Sequence, residues 1–301
     1  MISGYVIFFS ARNRTPSQFL SSRATRLYPA FWVSVFITSV FTLMINNNLP
    51  SITYSQILIN LTMFSSLFNT DYIDGVYWTL AYELIFYIGV FIVLLLGLGK
   101  HLKLLFQLWP FFILLAIYLQ KDWLPLAGGY YIFFAAGALF AIVREDKGWL
   151  TYASLFLTLI LCINFSISQA ENFNSNKGSS YSLWIIGGIV FIFFLYFILQ
   201  NTSKVSSIKL PKAGLLGALT YPIYLIHAHI GYILINNYAT DNNKLLVYPI
   251  VIIFVGFIAY LINILIEKKM SAFWIRFFSK YIGRPIKFME KRMINNYAIK
   301  Y

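Results

Sequence analysis

One acid and a handful of aromatic, arginine and histidine residues carry most of the chemistry this sequence could perform. Glu83 lies in Tyr77-Trp78-Thr79-Leu80-Ala81-Tyr82-Glu83-Leu84-Ile85-Phe86-Tyr87, inside an otherwise apolar run. A carboxylate in hydrocarbon must pair, take up a proton or face a wet cavity, so it is a functional candidate by default. The structural alternative is a protonated Glu bridging two helices by a hydrogen bond. Trp78 and Tyr82 are one helical turn apart and can share a face beside the acid. Arg23 and Arg26, three apart, immediately precede Leu27-Tyr28-Pro29. On one helical face they could clamp the phosphates of a donor, because a guanidinium offers paired N–H donors; equally, they could be charges that only fix topology, the role that suits Arg12 and Arg14. His227 and His229 stand two apart in another apolar run, about 200° from each other around a helix, so they cannot easily share a metal ion and no metal site is expected. Either imidazole could accept a proton or make a structural polar contact. The lone Cys162 excludes an intrachain disulfide and a thiolate metal cluster.

The elements that must position these residues belong in lipid. Of 301 residues, 59% are hydrophobic and only 11% are charged, against about 25% charged in an ordinary soluble domain. The mean hydropathy is +0.72, and 29 Phe, 22 Tyr and 7 Trp are available for the membrane interfaces. A soluble two-domain enzyme is excluded. Apolar stretches near the roughly 20 residues needed to cross a bilayer recur at residues 27–45, 77–98, 104–119, 124–143, 149–169, 181–200, 214–236 and 245–266. Pro110 is tolerable within its span because neighbouring helices can re-satisfy the freed backbone. Residues 1–10 are apolar but too short to cross, and they lack the basic start of a signal peptide.

The pattern predicts an all-α polytopic bundle with eight full spans and an N-terminal partial helix, read as a single domain over 1–301. Residues 1–26 form the partial helix and a cytoplasmic loop, 27–266 the membrane bundle, and 267–301 a basic cytoplasmic tail. This topology puts 20 of the 23 basic residues on one side and leaves only Lys121, Lys177 and Lys244 on the other. The positive-inside rule then makes both ends cytoplasmic, and the net charge of +13 needs no nucleic acid to explain it. Residues 46–76 read as an amphipathic element on the outer surface, with Ile57, Leu61, Phe64 and Phe68 on one helical face and Gln56 and Asn60 elsewhere. It is either an ordinary interfacial helix or a lid over an outward-facing site. Residues 170–180 read as an outer loop.

Several strings together resemble membrane-bound acyltransferase family 3, polytopic enzymes that modify cell-surface sugars. Ile2-Ser3-Gly4-Tyr5 is similar to the family's I-S-G-F/Y segment, and Arg23-x-x-Arg26-x-x-Pro29 to its R-x-x-R-x-x-P entry. Trp78-Thr79-Leu80-x-x-Glu83-x-x-Phe86-Tyr87 resembles the W-S/T-L-x-x-E-x-x-F-Y signature, the most specific of these strings. Phe134-x-x-Gly137 and Leu216-Gly217-x-x-Thr220-Tyr221-x-x-Tyr224-Leu225-x-His227 complete the set, with Thr220 where Ser is usual.

The resemblance implies O-acyl transfer, most often acetyl, from acetyl-CoA or another acyl-CoA to a hydroxyl of an envelope or extracellular polysaccharide. The acyl donor, the saccharide acceptor and the lipid bilayer are the expected partners, with no permanently bound cofactor, and a bacterial inner membrane is the expected location. Glu83 and His227 would belong to the catalytic site, Glu83 orienting the acceptor or a catalytic histidine and His227 as a secondary polar contact, while Arg23 and Arg26 would hold the donor and Trp78, Tyr82 and Tyr224 would contact substrate. Family members usually begin with a further helix carrying a histidine thought to act in catalysis, and against that pattern this chain starts inside the second helix. Two other readings therefore stand beside the enzyme: a transporter or flippase for a lipid-linked saccharide, and a shortened, non-catalytic member.

Overall fold

The computed structural model describes residues 1–45, 52–178, 180–208 and 211–298. The first part of the expected surface element, 46–51, and the last three residues of the expected tail lie outside the described residues. Along the chain run helices α1 (Ile2–Ala11), α2 (Pro16–Ile45), α3 (Tyr54–Asn60), α4 (Trp78–Leu95), α5 (Leu102–Tyr118), α6 (Tyr131–Val143) and α7 (Trp149–Lys177). They are followed by α8 (Leu183–Gln200), α9 (Ser203–Ser206), α10 (Ala213–Tyr238), α11 (Lys244–Leu261), α12 (Ser271–Phe278) and α13 (Arg284–Ala298). Ile262–Lys269 and Ser279–Gly283 are π-helical. Among the described residues there is no strand, and seven helices are long and apolar enough to cross a membrane.

The all-α membrane bundle is therefore as the hydropathy predicts, with three local differences. The expected span 124–143 is helical only in α6, because Pro125 and left-handed backbone at Gln120, Leu126 and Gly129 hold the preceding residues in turns. The expected loop before the first span is helical instead: α2 starts with Pro16, whose fixed φ and missing N–H suit a first turn. The expected outer loop at 170–180 is largely an extension of α7 to Lys177.

The described chain forms two compact units, Met1–Pro16 with Ile85–Lys209, and Ser17–Leu84 with Leu210–Tyr301; the division falls inside α4. In the first unit, α1 lies against α6 at backbone distance. A Cβ on Gly4 would stand 2.0 Å from the Phe134 carbonyl oxygen, and one on Gly137 1.8 Å from that of Met1. These are the glycines of Ser3-Gly4-Tyr5 and Phe134-x-x-Gly137, so the two motifs are the two halves of one small-residue helix contact. Arg12 pairs with Glu145, and the Arg144 guanidinium donates to the Tyr5 hydroxyl at 2.9 Å. Asp146 joins α5 to the start of α7: Lys103 lies 2.7 Å away and Gln107 donates to it at 3.1 Å, while its other oxygen accepts the Gly148 N–H at 2.8 Å. The Lys103 ammonium and the Gly148 N–H hold its carboxyl down to about 2. Its contribution to stability is complete above the ordinary carboxylate range and is lost as pH falls through that value.

In the second unit, Tyr221 of α10 donates to the Leu27 carbonyl of α2 at 3.0 Å. From Ile52 to Tyr77 the single helical face expected for the amphipathic element is not formed. Its helix ends at Asn60, Met63 turns left-handed, and only a short 3₁₀ turn, Ser65–Phe68, follows. Asn60, Met63 and Ser65 are buried, while Phe68 of the apolar set is exposed.

The reason is that the segment runs back alongside α2 rather than lying beyond its end. The Trp32 indole donates to the Leu61 carbonyl at 3.1 Å, and the Tyr77 ring packs on Phe31 at 5.0 Å. A 30-residue helix is about 45 Å long, so a hydrocarbon layer of about 30 Å that it crosses must include its middle, wherever the layer sits. Phe31 stands at that middle, with Trp32 next to it.

The α1–α6 contact gives the first prediction. Gly137→Ala should destabilise the protein by about 1–3 kcal/mol through overpacking, read as a lower thermal midpoint in detergent. Gly188→Ala, where a Cβ meets nothing within 4 Å, should leave the midpoint unchanged or raise it. Equal midpoints for Gly137→Ala and the unaltered protein would show that the close approach is not what holds α1 on α6.

Candidate active site

All seven residues singled out from the sequence, Arg23, Arg26, Trp78, Tyr82, Glu83, Tyr224 and His227, fall in the second unit. They are positioned by α2, by the first two turns of α4 and by the middle of α10. The start of α4 is set by its own sequence and by α10. Thr79 Oγ1 lies 3.0 Å from the Val76 carbonyl oxygen, and the Tyr224 hydroxyl 2.8 Å from the same oxygen. The Thr79 and Tyr224 hydroxyls also stand within hydrogen-bond reach of each other, so of their two protons one goes to the Val76 carbonyl and the other to the neighbouring hydroxyl. Trp78 and Tyr82 do share a face, their rings edge to face with centroids 5.7 Å apart. Glu83 is one residue further on and half-buried.

His227 stands one turn beyond Tyr224, with ring centroids 6.0 Å apart. Its Nδ1 is 3.0 Å from the Tyr224 carbonyl and 3.2 Å from that of Ile223. Carbonyl oxygens only accept, so Nδ1 carries a proton, and in the neutral ring Nε2 then carries the lone pair. His229 points elsewhere: its Nε2 lies 3.1 Å from Thr42 Oγ1, whose own proton goes to the Thr38 carbonyl at 2.8 Å. His229 is thus a donor at Nε2 and is tied to α2. The two histidines part company as their spacing predicts.

Arg26 belongs to a different set of contacts on the same helix. Its guanidinium lies over the Tyr221 ring at 5.6 Å and is 2.8 Å from Glu267, whose second oxygen accepts from the buried Asn263 at 2.6 Å. The π-helical stretch Ile262–Lys269 carries both Asn263 and Glu267, a local geometry often found at functional sites. The two groups of residues share α10, since Tyr221 and Tyr224 are three residues apart and lie on one face. Arg23, half-buried, reaches the Ser22 hydroxyl at 3.3 Å. The expected basic tail is folded back on α2: Glu290 accepts the Ser17 N–H at 2.7 Å, and Trp274 packs on Trp32 at 6.1 Å.

Sequence reasoning passed over Asp74. It is fully buried, and both of its oxygens accept backbone N–H groups, from Val76 at 3.1 Å and from His229 at 3.0 Å. Tyr77 donates to the Leu225 carbonyl at 3.1 Å. Leu225 C=O and His229 N–H are the acceptor and donor that a regular α-helix pairs with each other, so the segment ahead of α4 is fastened to α10 at one i, i+4 step. The available signal was Asp74-Gly75, an Asx-turn pair placed just before an apolar span. Among the described residues no three His, Cys, Asp or Glu side chains stand together as a metal-ligand set.

Asp74→Asn tests this fastening. The amide turns a donor toward one of two backbone donors, which should cost about 1–3 kcal/mol. The expected readout is a lower thermal midpoint, accompanied by faster cleavage at exposed sites of the segment under limited proteolysis. A midpoint and a proteolysis rate equal to those of the unaltered protein would show that Asp74 does not hold the segment on α10.

Residues 1–280 match the family model of an acyltransferase domain, acyltransferase 3. No curated protein and no solved structure matches the chain. With nearly its whole length matched, the chain belongs to the acyltransferase 3 family.

Proposed function

For this membrane acyltransferase, we propose transfer of an acetyl group from acetyl-CoA on the cytoplasmic side to a hydroxyl of an envelope saccharide. Membership of the acyltransferase family carries this reading. Tyr224, whose hydroxyl bonds to the start of the helix that carries Trp78, Tyr82 and Glu83, with His227 one turn further along α10, supports the assignment of roles. The acceptor hydroxyl oxygen attacks the thioester carbonyl carbon, its proton passes to His227 Nε2, and a tetrahedral oxyanion forms. Collapse of the oxyanion expels the thiolate of CoA, which takes the proton from His227. Glu83 orients the acceptor hydroxyl, while Trp78 and Tyr82 offer the aromatic face on which a sugar ring can rest. General-base help of this kind contributes about 10²–10⁴-fold to rate.

Arg23 and Arg26 hold the donor phosphates in this scheme. Both lie inside α2 rather than in a loop, so the phosphates would have to reach the helix itself. Glu267 keeps the Arg26 charge compensated until a phosphate takes its place. The basic loops and the tail face the cytoplasm, as the 20 to 3 division of cations supports.

Two measurements test the roles. Arg23→Ala and Arg26→Ala should each weaken acetyl-CoA binding in detergent by about tenfold or more, the worth of a charge-assisted phosphate contact. Glu267→Gln, which removes the competing acid, should leave that affinity equal or raise it. Unchanged affinity in the double arginine variant would leave both residues a purely structural or topological role. Glu83→Gln keeps the volume of the side chain while deleting its charge. In cells expressing the chain it should lower acylation of envelope saccharides by at least about 10²-fold. Equal acylation would remove Glu83 from the mechanism.

A further inference from the structure

The first unit contains a cleft and two pockets that the acyl-transfer scheme does not use. The cleft, about 360 Å³, lies between the second half of α4 and α5, and every residue lining it is apolar. Its far wall is built rather than incidental. Phe86 stacks on Trp109 with centroids 5.5 Å apart and rings 8° from parallel. The one polar atom in the lining, the Trp109 indole N–H, is turned to the Leu126 carbonyl at 2.7 Å. Leu126 is held at φ 65°, a left-handed conformation that a branched side chain adopts only when its surroundings impose it. Gly89 makes room for it, since a Cβ there would be 2.5 Å from Leu126 Cδ1. Water finds no hydrogen-bond partner in such a space. The cleft is continuous with the apolar face of α5, where Leu108 and Phe112, which line it, and Leu115 are exposed on a membrane-crossing helix.

At its other end the chemistry changes. Leu102 lines both the cleft and a second pocket of about 340 Å³, which it shares with Arg12, Lys100, Lys103 and Glu145. Lys100 also lines a third pocket, of about 260 Å³, with Asn13 and Arg14. Four cations, Arg12, Arg14, Lys100 and Lys103, thus line the pockets around the turn before α5, where Arg12 pairs with Glu145 and Lys103 with Asp146. From Leu102 to Phe112 the cleft follows α5 for about 15 Å. A soluble phosphate would have no use for the apolar cleft, and a neutral chain would have no use for the cations. A ligand with both parts fits both.

We propose that this unit binds one anionic phospholipid, with its phosphate in the basic pockets beside Lys100 and one hydrocarbon chain in the cleft between α4 and α5. The site needs only a lipid bilayer around the helices, and it stands or falls independently of the acyl-transfer reading.

The test uses the full chain reconstituted in phosphatidylcholine bilayers that carry a small fraction of phosphatidylglycerol or phosphatidylcholine with a diazirine on the acyl chain. After irradiation, adducts are mapped by mass spectrometry. Phosphatidylglycerol should label residues 86–112 more than phosphatidylcholine does, by about fivefold for each cation that contributes. Lys100→Ala with Arg14→Ala, both at exposed positions, should reduce phosphatidylglycerol labelling to the phosphatidylcholine level. Val93→Trp, or Leu105→Trp as a second way of filling the cleft, should reduce labelling by both lipids. Equal labelling by the two lipids in the unaltered protein would overturn the proposal. So would labelling that survives both filling variants, which would mark ordinary surrounding lipid. Displacement of phosphatidylglycerol by excess acetyl-CoA would assign the pockets to the donor instead and would equally overturn it.

Discussion

The second unit depends on one constraint: backbone N–H and C=O groups withdrawn from water must find partners. The segment from Ile52 to Tyr77 runs along the middle of α2 without being a continuous helix, so it cannot satisfy its own backbone. Side chains do it instead. Asn60 donates to the Asp71 carbonyl and accepts the Ile73 N–H. Trp32 serves Leu61, Asp74 serves Val76, and Tyr224 serves the Val76 carbonyl. Were these partners absent, the segment would have no reason to leave the aqueous surface, and α4 would not begin beside Phe31. Glu83 sits where it does because the backbone ahead of it is paired.

The few acids follow the same logic. Ten Asp and Glu serve the whole chain, and several of them join separate elements: Glu145 to Arg12, Asp146 to Lys103, Glu267 to Arg26, Glu290 to the Ser17 N–H and Asp74 to the His229 N–H. Burying a charge is costly unless it is paired or hydrogen-bonded, and the buried Asp74 meets that cost with two backbone N–H groups. Arg26 shows the consequence for function. Its charge inside a long membrane-crossing helix is compensated by Glu267 and by the Tyr221 ring, so an anionic ligand would have to compete with a carboxylate already in place.

The helices of this protein were legible in its sequence because hydrocarbon imposes a length and a composition that no soluble element shares. Six of the expected spans correspond to long helices whose ends differ by a few residues at one or both termini, and α2 was recognised by its apolar half. What hydropathy could not show was where a helix continues beyond its apolar part. Pro16 to Arg26 and Ala170 to Lys177 are polar enough to read as loops, yet helix propensity and packing carry the backbone through. The reverse error occurred at 124–130, apolar but held in turns by Pro125 and left-handed backbone.

Residue types and spacing determined, by themselves, that this is an all-helical membrane protein. They also marked Glu83 as the acid inside an expected span, set Trp78 and Tyr82 to share a face, and kept His227 and His229 from acting together. Those are local facts, fixed by one helix and its period of 3.6 residues. The tertiary structure decided the rest, because the partners lie far apart in sequence. The glycines at 4 and 137 are two sides of one contact, Asp74 and Tyr77 reach 148 to 155 residues ahead to α10, and Arg26 finds its acid 241 residues away. No periodicity encodes which distant carbonyl a hydroxyl will meet; that is settled only when folding brings two helices together and every withdrawn polar group has to be matched.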